Sequence, residues 1–361
     1  VTTSNTYNFI STTNQQFVDE CYERAGIVPD VITARHVQTA IRSGNLVLTE
    51  WINKGYNLFT STRVFISLNP NQANYNLDAR VSDVIDCNTR TFSRPLGGTA
   101  FSSNGGNADN VFGGTGDCVQ NAPNGYISYN YGSGNSYMVT MVGVSTPFNA
   151  EYSLVFEYSN DGLIWTSTNT PFVPQADPAP VFYTASVPQW FDIATPVTAQ
   201  YFRIRETGGQ TLDIEQIWFA TNVVDIPMAR VSGSNYMSYP NKSTQASRPN
   251  CFWVDRQPQN PVLVLWPAPT AQYQVLSARV IRMLQDVGSL TDTLEIPARF
   301  YDAYCAAVAK RIHMKSEKLD ELRIALLEKQ EKEAYSYAAT EDTEKVPLLI
   351  APSYLTGWGR V

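Results

Sequence analysis

The sequence predicts an α+β protein: a helical body with a small β-hairpin and strand region, interrupted by an inserted all-β domain. Two observations lead there. Between Phe92 and Thr221 stand three basic residues (Arg94, Arg203 and Arg205), ten acidic ones and no lysine, while the rest of the chain balances at 23 of each sign. A composition shift of that kind marks a domain of separate character. Helical apolar spacing also falls only in the flanks, whereas the middle alternates strand-like runs with turn residues.

The totals agree. A chain of 361 residues, 43% apolar and 16% charged, is long enough for about two cores and is globular in composition. Abundant Gly, Asn, Ser and Thr, with 20 tyrosines, favour β structure. No run of roughly 18 apolar residues is present, so no membrane span is expected. The start, VTTSNTYNF, has neither a basic nor an apolar region, so no signal peptide is expected.

From Thr33 to about Lys54, Val37, Ala40, Ile41, Leu48, Trp51 and Ile52 follow helical spacing, with Thr33 as N-cap. RVFISLNPNQANYNLD (63–78) reads as strand, Asn-Pro turn, strand, the pattern of a short hairpin. RVSDVIDCN (80–88) is a further strand, and 250–256, 261–269 and 273–284 are three more. LEIPARFYDAYCAAVAKRIHM then opens a long helix. Phe300, Tyr304, Val308 and Ile312 fall on one stripe, and Leu319, Leu322 and Leu326 continue it among charges of both signs. Unbroken from Ala298 to about Tyr335, it would reach about 57 Å. The last stretch, EKVPLLIAPSYLTGWGRV, has no period and reads as an extended arm rich in apolar groups. The expected organisation is a discontinuous body (1–91 and 222–345), an insert (92–221) and an arm (346–361).

Catalytic signatures are absent. There is no GxxxxGK[ST] loop, no GxSxG, no HExxH and no paired Cys/His ligands. The glycine-rich run at 97–117 lacks a following lysine-bearing helix and reads as sandwich loops. Cys21, Cys87, Cys118, Cys251 and Cys305 are scattered and odd in number, which favours free, buried thiols of a reducing cytosol. His36 and His313 read as surface or capping residues of helices. Asp161, Asp213 and Glu215 read as solvent-facing β positions or as part of a structural cation site, not as an acid/base pair. Lys310, Arg311, Lys315, Lys318 and Arg323 alternate with acids and read as a solvated helix face, not a phosphate stripe. An enzyme is not expected.

Two stretches carry family resemblances. NADNVFGG (107–114), NGYISYNYGSG (124–134), FEYSNDGLIWTS (156–167), PVTAQYFRIRETGG (196–209) and LDIEQIWFA (212–220) together resemble a discoidin-like domain, the factor 5/8 C-terminal type, close to one class of carbohydrate-binding module. Within it, Asn160-Asp161-Gly162 suits a tight hairpin and Trp165 reads as an inward core anchor. The resemblance implies a jelly roll with ligand loops at one end. It also implies a structural calcium, for which Asp109 and Glu215 are the nearest counterparts; Gly113 stands where the family has an acid.

The flanks resemble the head-to-tail connector, or adaptor, proteins of short-tailed phages. The resemblance lies in 51–77, in NYMSYPNKSTQASRPNCFWVDRQPQNPVLVLWPAP (235–269), in VIRMLQDVG and in LEIPARFYDAYCAAVAKRI, with Asn241-Lys242-Ser243, Arg248-Pro249 and Trp266-Pro267 its most specific parts. It implies a structural virion protein, assembled in the host cytoplasm, at the head–tail junction. Such a protein forms a ring, usually of twelve copies, under the portal protein and docks a tail nozzle or hub, and DNA passes through it without sequence-specific binding. Phe300, Tyr304, Val308, Ile312, Leu319 and Leu322 would then serve ring packing. Leu348, Leu349, Ile350, Tyr354, Leu355 and Trp358 would form the portal-binding arm. The insert would contact tail spikes, fibres or glycans. The alternative is a carbohydrate-binding protein whose discoidin-like domain is the main functional unit.

Overall fold

The computed structural model describes residues 13–28, 32–54, 60–168, 181–257, 259–270, 274–316 and 319–342. The arm residues Leu348 to Trp358 lie outside the described residues. The fold is mixed α and β with mostly antiparallel sheets, and it separates into two compact units, one from 1–61 with 283–361 and one from 62–282. Among the described residues no helix is long and apolar enough to cross a membrane.

The first unit is helical: α1 (Asn14–Ala25), α2 (Ala34–Lys54), α5 (Ala298–His313) and α6 (Glu321–Glu341). The α5 helix is central and packs against the other three. Its alanines 303, 306, 307 and 309 are all buried, and such small side chains let neighbouring helices come close. Gly44 of α2 serves the same end, since a Cβ there would stand 2.5 Å from the Tyr304 hydroxyl. Trp51, fully buried, meets Phe300, Tyr304 and Tyr335 at 5.7, 5.6 and 5.2 Å between ring centroids. At the start of α2, the Thr33 N–H donates to His36 Nδ1 at 3.1 Å, so His36 acts as the reciprocal partner of a capping box.

The expected single long helix is two helices. The α5 helix stops at His313, and α6 begins after Asp320, whose carboxylate accepts from the Leu322 and Arg323 amides. Residues 315–318 (KSEK) offer no apolar side chain to extend the buried stripe, so doubling back buries more. The hairpin is tied by ion pairs from Lys310 to Glu331 and from Arg299 to Asp342. His313, 5% exposed, bridges the break: its rings nitrogens meet the Ala25 carbonyl and the Asp320 N–H, both at 3.0 Å.

The second unit contains the β structure. A six-stranded sheet runs β1 (Ser61–Leu68), β21 (Gln274–Arg282), β3 (Val81–Ser93), β15 (Gln216–Pro227), β7 (Tyr137–Ser145), β12 (Gln189–Ala199). A five-stranded sheet runs β10 (Thr166–Ser167), β9 (Leu154–Ser159), β13 (Tyr201–Glu206), β6 (Tyr126–Asn130), β4 (Thr99–Ser102). A four-stranded sheet runs β16 (Ala229–Arg230), β18 (Cys251–Asp255), β19 (Val262–Trp266), β2 (Asn74–Asn76). Three two-stranded pairs complete it: β11 (Val181–Tyr183) with β8 (Ala150–Tyr152), β14 (Asp213–Ile214) with β5 (Cys118–Val119), and β17 (Gln245–Ala246) with β20 (Ala268–Pro269). Short helices α3 (Ala108–Gly113) and α4 (Gly233–Ser238) lie between strands.

Every strand expected from the sequence is present, but one pairing differs. The two arms of 63–78 do not form a hairpin; β1 pairs with β21, and β2 pairs with β19. The Tyr75 hydroxyl accepts from the Asn69 N–H at 2.9 Å and fixes the turn between them without a ladder.

The six-stranded sheet is the spine of this unit. Val142, Val144, Phe191, Ile217 and Phe219 face the five-stranded sheet across a core with Ile127, Phe156, Phe202 and Ile204. Farther along, Val84, Leu276 and Val280 share a core with Phe252, Leu263 and Leu265 of the four-stranded sheet. The opposite face curls inward. Met141, Trp190, Trp218, Ala220 and Val275, with Phe65 and Phe92, form a third core drawn from all six strands. Edge strands β1 and β12 thereby approach: Ser67 Oγ donates to the Pro188 carbonyl at 2.7 Å and Arg63 pairs with Asp192 at 3.0 Å. Inside the curl, Arg90 (side chain 5% exposed) makes a two-pronged pair with Asp225 at 2.7 Å and reaches Asp192 at 2.5 Å.

Candidate functional site

The turn in FEYSNDGLIWTS is wider than a tight hairpin. Thr166 pairs with Tyr158, and within the loop only Gly162 is left-handed, at φ +72°. The Asp161 carboxylate organises it, accepting from the Ser159 hydroxyl and from the Leu163 and Ile164 amides at 2.8–2.9 Å. Those bonds, Ile164 and Leu163 foremost, hold its pKa below the usual aspartate value. The loop pushes Leu163 and Ile164 into solvent, 84% and 75% exposed.

Trp165 is not the inward anchor that the sequence suggested. It is half-buried on the outer face, with the Arg203 guanidinium 4.1 Å from its ring centroid. Arg203 also lies 4.6 Å from the Tyr126 ring. The inward positions are filled by Phe156 and Phe202, stacked at 5.6 Å. Arg203 and Arg205 both pair with Glu157, whose side chain is 6% exposed. Burial alone would raise the Glu157 pKa; the two guanidiniums outweigh it and lower it. The outer face thus carries a row of Phe101, Tyr126, Arg203 and Trp165. Its sequence signal is visible in retrospect: Arg203 and Arg205 alternate in β13, and Glu157 stands opposite Arg203 in β9.

The two counterparts for calcium have different surroundings. Asp109 belongs to the first turn of α3, where its N–H donates to the Asn107 side chain that caps that helix. Glu215 accepts from the Ser186 hydroxyl at 3.5 Å. The side chain beside the C-cap Gly114 of α3 is the amide of Gln216. Among the described residues no three His, Cys, Asp or Glu side chains gather in a cluster that would hold a metal ion.

The segments that resemble connector proteins interlock. Lys242 Nζ donates to the Tyr239 carbonyl at 2.9 Å and also to that of Tyr236, closing the C-terminal end of α4. The Asn241 carbonyl accepts from Trp266 Nε1 at 3.0 Å, and the Trp266 ring stacks on Tyr239 at 4.3 Å. The Trp266–Pro267 bond is cis, and β20, just beyond it, runs parallel to β17. The expected NKS and WP motifs, some 25 residues apart, therefore form one clasp.

The helical stripe divides. Phe300, Tyr304, Val308 and Ile312 are at most 3% exposed within the core of their own unit, so they are not open to a neighbouring copy. The reason is the helical break, which folds α6 over α5. Leu319 and Leu322 remain open at 62% and 83%, joined by Leu326 and Tyr337. All five cysteines are buried free thiols.

No protein-family model matches this chain, and no curated protein does. Solved structures similar to part of it include carbohydrate-binding modules and a putative alpha-L-fucosidase. They include CBM32-1 from a family 31 glycoside hydrolase of Clostridium perfringens (13% identity, TM-score 0.30), covering 36% of this chain and 96% of the module. A chitosan-binding module from a Paenibacillus sp. IK-5 chitosanase/glucanase aligns at 20% identity and TM-score 0.26, over 35% and 95%. CBM62 from Clostridium thermocellum Xyl5A aligns at 14% and 0.28, over 37% and 96%. At these identities and scores the likeness carries no inference about function.

Proposed function

We propose that this chain is a non-enzymatic structural protein of a short-tailed phage particle, a head-to-tail adaptor that assembles as a ring below the portal. The observation that carries the reading is the clasp: Asn241, Lys242 and Trp266, which belong to the most specific parts of the connector resemblance, meet around Tyr239 in one built cluster. The ends of the chain supply the helical unit, and the discoidin-like sandwich is a contact domain spliced between them. Open leucines on α6 and near its start offer a surface for the neighbouring copy, and the C-terminal arm is assigned to the portal. Portal, a tail hub, and spikes or fibres are the partners of this reading; DNA passes through without base recognition.

Mass photometry of the purified chain with portal tests it. The expected result is a ring near twelve copies, and loss of portal attachment on deleting 346–361. A strict monomer that never joins portal overturns it.

A second reading is a carbohydrate-binding protein in its own right. The half-exposed row of Phe101, Tyr126 and Trp165 on the sandwich favours it, since rings on an open face suit sugar C–H surfaces. A glycan array separates the two readings.

A further inference from the structure

Where edge strands β1 and β12 draw together, the curled sheet leaves an open mouth. Its walls are Ser67–Pro70 on one side and Ser186, Pro188 and Trp190 on the other, with Ser145, Glu215, Gln216, Trp218 and Gln274 between them. The cavity is roughly 220 Å³, below the range of about 300–1,000 Å³ typical of drug-sized ligands. It suits one small ring.

The lining chemistry is one-sided. Among the described residues the lining holds no Lys, Arg or His to neutralise a phosphate or a carboxylate. Two of the donors are committed: Trp190 Nε1 bonds Ser67 Oγ at 2.9 Å, and that hydroxyl donates to the Pro188 carbonyl; the Trp218 indole, the Gln216 amide and the Ser145 hydroxyl also line the mouth. Acceptors remain. Gln274 Oε1 is buried and accepts no hydrogen bond among the described residues, while Gln274 Nε2 is held by the Ser247 carbonyl at 2.9 Å. The amide is therefore fixed with its oxygen unanswered, an arrangement that costs free energy unless a donor arrives. Glu215 contributes a carboxylate whose one described side-chain bond is long, at 3.5 Å. Two indoles supply the apolar part of the lining.

A ligand that fits carries several hydroxyl donors on a compact, partly apolar ring and no negative charge. We propose that this mouth binds a single neutral sugar ring, with Glu215 and Gln274 accepting from its hydroxyls beside Trp190. The proposal rests on the carbohydrate-binding reading and locates it away from the exposed aromatic row. Ser67, Asn69 and Gln274 come from strands and turns outside the 92–221 segment, so the sandwich segment alone does not make this site.

The test uses the full chain. Tryptophan fluorescence, with Trp190 and Trp218 in the lining, and saturation-transfer NMR are recorded against glucose, galactose, N-acetylglucosamine, glucosamine and glucuronate. The expected result is saturable binding of a neutral sugar and none of glucuronate. Glu215→Gln and Gln274→Leu each weaken binding at least about tenfold, while Trp165→Ala on the outer face leaves it unchanged. Thermal unfolding confirms that each variant is folded. Neutral-sugar binding that survives both mouth substitutions overturns the site and leaves the carbohydrate reading standing. Binding of glucosamine alone overturns the neutral-ligand assignment. No binding by any sugar overturns both.

Discussion

Replacing Arg90 by Met tests whether the sandwich and the strands around it form one cooperative body. Arg90 extends from β3 into the curl, where its two-pronged pair holds Asp225 of β15 and its remaining nitrogen holds Asp192 of β12. Its guanidinium also lies 4.9 Å from the Phe65 ring of β1. Methionine keeps the packing and deletes the charge, leaving two carboxylates with Arg63 as their remaining cation among the described residues. Breaking a buried pair by removing one partner costs about 3–5 kcal/mol. Each aspartate side chain is 31% exposed, so the lower end, about 3 kcal/mol, applies. For a unit of this size that corresponds to a fall of about 6–12 °C in Tm.

The pH dependence gives a second check. Arg90 holds the Asp225 pKa below its ordinary value. Its stabilisation is therefore complete above the unfolded-state value and is lost as pH falls through the folded one. In the variant the carboxylates repel until protonated, so the gap between wild type and Arg90→Met should narrow from pH 7 toward pH 4. Calorimetry across that range measures it. A variant as stable as wild type at pH 7, or a gap that widens on acidification, would refute the reasoning.

Other substitutions probe other parts. Gly143→Ala places a Cβ 2.5 Å from the Trp190 ring and should cost about 1–3 kcal/mol in urea unfolding; no loss would mean that the indole is not seated there. Glu157→Gln should flatten the acid limb of stability, because the lowered pKa of Glu157 makes its contribution complete above the unfolded-state value and lost as pH falls through the folded one; an unchanged limb counts against the Arg203–Glu157–Arg205 pairing. His313→Leu strands the Ala25 carbonyl and the Asp320 amide and should cost about 2–4 kcal/mol, read by thermal melts of the chain. The double change Leu322→Glu, Leu326→Glu should leave monomer stability within about 0.5 kcal/mol while lowering the oligomer fraction in mass photometry; intact rings would place the neighbour contact elsewhere.

The sequence exposed most strands because runs such as VLVLW and QVLSARV are too apolar for anything but a core. Their partners were hidden, since β1 and β21 are separated by some 200 residues and no local rule selects that pairing. The curl was hidden for a different reason. In β7 and β15 both faces are buried, so Met141 beside Val142, and Trp218 beside Phe219, read as continuous apolar runs without alternation. Trp165 was misplaced because size alone suggested the core, while its partner Arg203 lies in a strand 38 residues on. The break after His313 has no Gly or Pro to announce it; only Asp320, a capping residue inside a charged run, hints at the restart. The Gln274 amide gave no signal, because a glutamine becomes informative only when its surroundings are known.

The splice itself has a mechanical consequence. The chain enters the sandwich along β3 and leaves along β15, and these strands are hydrogen-bonded neighbours from Ser93–Thr221 to Asn88–Pro227. The junction is a stiff double-stranded ribbon clamped by Arg90, not a pair of loose tethers. A tug on the sandwich is met by several backbone bonds loaded together and by ion pairs beneath them. A load applied to the sandwich is therefore delivered to the strands at its root with little lost in bending.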